Sequence, residues 1–222
     1  MRIDVMVDLE TLGTDVDSTI FQIAAVGFDI KTGAIGSEFN KIADISKNAS
    51  FEMTVSGQTL KWWTSTAEKA RMFRNLLDQG EGSSTDLIED FRRWLQGLNA
   101  IGDVHLWGNG ILFDNNILRQ HMGEEDYPIH YRRDRDVRTI VDLACDKLDV
   151  NQFDLMKALY TDDPAHDAMN DALNQVKLVT YCYHVLTKDN DELYRGQKKS
   201  REEFEALLKP AVKEDGSDAE TV

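Results

Sequence analysis

The chain has 222 residues, 41% of them hydrophobic and 29% charged, with a formal net charge of −15. That apolar share is too high for a disordered chain and suffices for one well-packed domain, with or without a tail. No apolar run approaches the ~20 residues that span a bilayer, so no membrane contact is expected. The acids inside MRIDVMVDLE are not those of a secretory signal. Cys145 and Cys182 lack metal-type spacing and read as reduced thiols of a cytoplasmic protein. The acidic balance argues against tight, non-specific duplex binding. It leaves room for a protein that grips only a strand end, because bound cations offset clustered carboxylates.

In chain order, MRIDVMVDLET alternates with the period of a strand: Ile3, Val5 and Val7 on one face, Met6, Asp8 and Glu10 on the other. FQIAAVGFDI is a second strand, KTG a hairpin turn, and IGSEFNKIADI a returning strand. Residues from about 58 to 79 are predicted helical. A clearer helix covers Ser84 to Leu98, capped by Ser83 or Ser84, with Leu87, Phe91, Trp94, Leu95 and Leu98 as its stripe. DVHLWGN is another strand, followed by a helix from about Phe113 to His121. GEEDYPIHYRRDRD reads as polar loop, VRTIVDLACDKL as helix, and the last strong element runs from about Asp167 to Leu186. Strands in hairpins, then helices around one more strand, predict an α/β domain with a mixed sheet. Beyond it, Phe204, Leu207 and Leu208 suggest a short helix before a polar end.

Five ionisable residues stand out. Asp8 and Glu10, two apart on a strand, project from one face, where like charges are costly unless protonated or bridged by cations. Taken alone, Asp-x-Glu more commonly ends an amphipathic strand at the surface. Asp114 closes WGNGILFD near a helix start and serves equally well as a helix-terminal acid. Asn109 reads first as a turn residue. His166 and Asp171 flank the start of the last helix, with small Ala168 between them allowing close packing on the sheet. An imidazole suits proton abstraction near neutral pH. Asp163 and Asp167 compete with Asp171 as ligand on local evidence. Trp107 and Phe113 read as core. Trp62 and Trp63 are adjacent, so at most one points fully inward. Arg132, Arg133, Arg135 and Arg138 form the densest basic cluster, offset by Asp134 and Asp136.

The five residues, in this order, resemble the DEDDh branch of the DnaQ-like 3′–5′ exonucleases, whose fold is RNase H-like. Asp8 and Glu10 match its D-x-E motif; Asn109, Phe113 and Asp114 match its second; His166, Ala168 and Asp171 match H-x-A-x-x-D. LKWW, WGNGILFDNNIL and RDVRT are similar to the short bacterial and phage group that includes the phage DNA exonuclease A and a mycobacterial exoribonuclease. The resemblance covers roughly residues 1–187, taken as an exonuclease domain, with 188–222 as a C-terminal extension. It implies two divalent ions, Mg²⁺ or Mn²⁺, held by Asp8, Glu10, Asp114 and Asp171, with His166 as general base. It implies release of nucleoside 5′-monophosphates from the 3′ ends of RNA or single-stranded DNA, with a lean to RNA or single-stranded 3′ overhangs. Thr11 and Leu12, after the first motif, would contact the terminal nucleotide. Trp63 would stack on a base, and Asn109 and Arg138 would also bind substrate. A homodimer is compatible with the family. Two alternatives stand beside this reading: an oligoribonuclease-like hydrolase of very short RNAs, and an inactive nucleic-acid-binding module. Retention of all five residues argues against the latter.

Overall fold

A computed structural model describes residues 1–49, 53–160 and 167–188. Five strands form one mixed sheet: β1 (Arg2–Thr11), β2 (Ile20–Phe28), β3 (Ile35–Ile42), β4 (Asp103–Gly108) and β5 (Asp134–Asp136). The spatial order is β3-β2-β1-β4-β5. The first three strands pair antiparallel, while β4 and β5 run parallel to β1. The helices are α1 (Gly57–Trp63), α2 (Ala67–Leu77), α3 (Ser84–Asn99), α4 (Asp114–Met122), α5 (Val137–Leu148), α6 (Gln152–Leu159) and α7 (Ala168–Thr187). Met1–Leu186 form one compact unit. A second begins at Thr187 and, past Lys188, lies outside the described residues, as does the helix suggested around Phe204.

The predicted alternation of β1 divides the core. Val5, Val7 and Leu9 pack with Phe91 and Leu95 of α3 and Ile117 and Leu118 of α4. Met6, on the other face, packs with Val141 and Ala144 of α5, Leu155 of α6 and Val176 and Val179 of α7. Helices thus cover both faces, the layering expected of α/β architecture. A third cluster joins Leu12, Phe21, Trp63 and Leu76. A register shift between Glu10 and Thr11 opposite Ile20–Gln22 turns the end of β1 toward it.

Local structure departs from the sequence expectation in three places. Residues 58–79 form two helices, because Thr66 caps α2 through the Lys69 N–H while the Thr64 hydroxyl bonds back to Leu60. Such side chains offer the backbone an alternative to a continuous helix. The segment 123–136, read as loop, ends in β5, whose three residues pair with Leu106–Gly108. And α6, unforeseen, is capped by Asn151. Ser83 rather than Ser84 caps α3, in a reciprocal capping box with Asp86.

Candidate active site

Pairing between β1 and β4 ends at Met6–Trp107, so the second half of β1 has no strand on that side. The chain leaves β4 at Gly108, turns, and starts α4 at Asp114. The Asp114 carboxylate accepts a hydrogen bond from the backbone N–H of Leu9, which the ladder leaves available there. It fits because position 108 is glycine: a Cβ would lie 3.1 Å from Asp114 Oδ2 and 3.4 Å from Asn115 Oδ1. Asp114 opens α4 but does not cap it. Its local ambiguity resolves toward the β1 carboxylates.

From the other face, α7 delivers Asp171. Its start is held twice. Asp167 accepts from the N–H groups of Met169 (3.1 Å) and Asn170 (3.2 Å) and so acts as its cap. Fully buried Gln22, paired with Glu10 across β1–β2, accepts from the Ala168 N–H (3.4 Å) and donates to Asn40 (3.1 Å). One turn beyond Asp171, Gln175 donates to Asp8 Oδ1 at 2.8 Å. Neither glutamine was singled out in the sequence; only a fold that stacks α7 on β1 reveals them.

Asp8, Glu10 and Asp171 each present an oxygen within 4.8 Å of the others. Asp8 stays partly open to the cleft while Glu10 and Asp114 are buried. Burial, followed by the charges of Asp114, Glu10 and Asp171, pushes the Asp8 carboxyl well above the usual range, against the Gln175 hydrogen bond. Burial and then the charges of Asp171, Asp167 and Asp114 push Glu10 up to about 8. Burial lifts Asp114 to about 7, despite backbone hydrogen bonds and the nearby Arg138 charge. Buried carboxylates this close ionise together only if cations bridge them. Their all-oxygen donor set fits a hard divalent ion.

One cavity reaches the cluster at Glu10, and a second lies beside Asn109 and Arg138. The first, of about 370 Å³, is lined by Glu10, Thr11, Ser56, Trp62 and Phe113 among others. Thr11 lies in its wall with its hydroxyl donated to Gly13 O at 2.6 Å. Leu12, expected against a nucleotide, is 2% exposed in the third core cluster. Trp63, the expected stacking residue, is 1% exposed. It stacks on Phe73 and sends its indole N–H to Thr11 O at 3.3 Å. Both are corrected to core: Leu12 follows the register shift at the end of β1, and Trp63 of α1 packs against Phe21 and Phe73. Trp62 is 39% exposed on the cavity rim, with the Lys69 ammonium over its ring. Trp107 is core as expected, donating to Asp4 at 2.8 Å. Phe113, expected in the core, is only partly buried. The second cavity, of about 460 Å³, is lined by Asn109, Arg138, Phe153 and Tyr160 among others. Asn109 is thus both turn residue and cavity wall. Arg133 is paired to Asp103, and Arg135 donates to the carbonyls of Arg132 and Asp134. His166 and Asp163 lie outside the described residues.

A mixed five-stranded sheet between helical layers, with acids converging from β1, α4 and α7, defines an RNase H-like fold. The profile of the 3′-5′ exoribonuclease Rv2179c-like domain matches residues 3–183, and the chain belongs to that family. Among solved structures, the chain is similar to cell-death related nuclease 4 (CRN-4), with TM-score 0.56 and 18% identity over 82% of this chain and 64% of that one. It is similar to the nuclease domain of 3′hExo, a DEDDh family member bound to rAMP, with TM-score 0.53 and 12% identity over 89% and 97%. A moderately thermophilic exonuclease I from Methylocaldum szegediense gives TM-score 0.58 and 16% identity over 93% and 45%. The chain thus spans under two thirds of CRN-4 and less than half of exonuclease I. No curated protein matches it. Among the described residues, no helix is long and apolar enough to cross a membrane.

Proposed function

We propose that the protein is a metal-dependent 3′–5′ exonuclease that removes nucleoside 5′-monophosphates from the 3′ ends of RNA or single-stranded DNA, with RNA the favoured polymer. One observation carries this reading: acids from β1 and α7 present oxygens within 4.8 Å of one another, with the Asp114 charge bearing on Asp8. Asp8, Glu10, Asp114 and Asp171 would hold two ions, Mg²⁺ or Mn²⁺. When bound, these supply charge stabilisation to the attacking and leaving oxygens of an in-line displacement. Gln175 orients Asp8 through its hydrogen bond. His166, assigned from the motif alone, takes the proton of the attacking water. Thr11, with the exposed edge of Trp62, borders the cavity for the terminal nucleotide, and Arg138 with Asn109 borders the strand. Residues 1–187 form the exonuclease domain and 188–222 an extension. A cytoplasmic setting agrees with two free, buried cysteines.

The test is a time course on 5′-labelled RNA and DNA oligonucleotides of several lengths, with Mg²⁺, Mn²⁺ or EDTA, using wild type and His166→Ala. A metal-dependent ladder shrinking from the 3′ end is expected, with rates in the variant lower by about 10²-fold or more. No cleavage of any polymer with either metal would refute the nuclease. Near-normal rates in His166→Ala would refute the general base. Activity confined to the shortest RNAs would move the assignment to an oligoribonuclease-like enzyme.

A further inference from the structure

The second cavity is not explained by catalysis at the carboxylates alone. Its wall carries Phe153, 68% exposed, on the first turn of α6. The Phe153 backbone is pinned, its N–H donated to the capping Asn151 side chain at 2.8 Å. The ring is therefore presented to solvent from a rigid helix start rather than from a floppy loop. Across the same cavity the Arg138 guanidinium lies against Gly110, within about the space a Cβ would need (3.0 Å). Gly110 has φ 108°, so no side chain competes for that place. The charge of Arg138 reaches Asp114, and the hydroxyl of Tyr160, also in the wall, feels Asp171 and Asp8. The cavity thus lies beside the cluster, near enough for Arg138 and Tyr160 in its wall to interact with the carboxylates, and it carries an exposed aromatic ring. Asp142 in the same wall disfavours a bare anion. An aromatic platform with a guanidinium nearby suits a base together with its phosphodiester.

We propose that this cavity is the subsite for the nucleotide on the 5′ side of the scissile phosphate, with Phe153 stacking on its base and Arg138 facing its backbone. This rests on the nuclease reading above and names where the retained strand is held. It makes Phe153 a determinant of polymer binding that leaves chemistry on a minimal substrate untouched.

The experiment measures kcat/KM for wild type and Phe153→Ala on three substrates: the p-nitrophenyl ester of thymidine 5′-monophosphate, an oligonucleotide, and the same oligonucleotide abasic at the penultimate position. Phe153→Ala is expected to lose about tenfold on the intact oligonucleotide, in line with one base–aromatic stack. It should match wild type on the ester, which has no upstream base. The abasic substitution should slow wild type by a similar factor and the variant no further. Equal losses for Phe153→Ala on the intact and abasic strands would overturn the subsite, as would a loss on the ester. Unchanged rates with a shift in sedimentation would overturn it too, and would assign the surface to a second copy of the chain. A wild-type protein that cleaves none of the three would instead sink the nuclease reading.

Discussion

Asp4 and Asp8 lie four residues apart on one face of β1, yet their surroundings are opposite. Asp4, 5% exposed, receives Arg2 through three contacts of 2.6–3.0 Å and the Trp107 indole at 2.8 Å. Its counter-charge comes from the next-but-one residue of its own strand. Asp8 receives a neutral amide from Gln175 and faces Glu10, Asp114 and Asp171. One end of the strand is electrically closed within the chain. The other end accumulates negative charge that the protein leaves for something from outside to neutralise. A buried acid with its partner built in is a structural element; buried acids gathered together at a cleft are a site for cations.

The contrast predicts a graded series of effects. Asp8→Asn should abolish metal-dependent hydrolysis, by about 10³-fold or more in kcat, while thermal unfolding shows a folded protein. Retained activity would break the distinction at its root. Gln175→Leu should leave the fold intact and weaken Mg²⁺ activation by about 10–100-fold, read from the metal concentration at half-maximal rate. An unchanged metal titration would make Gln175 a packing residue. Asp4→Asn should do the reverse: normal kcat, with a stability loss of about 1–2 kcal/mol, kept modest because Arg2 is half exposed.

The smallest effect is the pH dependence. Glu10 is raised from 4.5 to about 8 on folding, so the native state holds its proton more tightly than the unfolded chain. The stability from that group is full below pH about 4.5 and is lost as pH rises through about 8. In EDTA, the free energy of unfolding should therefore fall across this window, and Glu10→Gln should flatten the fall by on the order of 1 kcal/mol. Mg²⁺ should raise the melting temperature more at pH 8 than at pH 5.5, because it binds the ionised carboxylates. Equal metal-induced shifts at both values would show that the cluster is already ionised without a cation.

Much of this was legible before folding. The alternation of β1 fixed which side chains share a face, and the order of the three motifs singled out Asp8, Glu10, Asp114 and Asp171. Other features were beyond local pattern. Leu12, after the first motif, and Trp63, in LKWW, look like contact residues, yet the chain beyond the Glu10–Thr11 register shift buries Leu12 and packing on Phe21 and Phe73 buries Trp63. β5 is three charged residues, DRD, and becomes a strand only because β4 offers it an edge. Gln22 and Gln175 carry no signature, since an amide's role depends on which oxygen or N–H lies opposite it.

What the sequence determined by itself was periodic or covalent: strand and helix faces, a cap such as Ser83, and glycine at 108 and 110. These follow from spacing along the chain, which is short-range. Tertiary structure decided which acids meet, which glutamine holds Asp8, and which tryptophan stays at the surface. Those outcomes depend on contacts between residues as much as 167 positions apart, as in Asp8 and Gln175. No local pattern encodes such distances, because they are set by how whole elements pack.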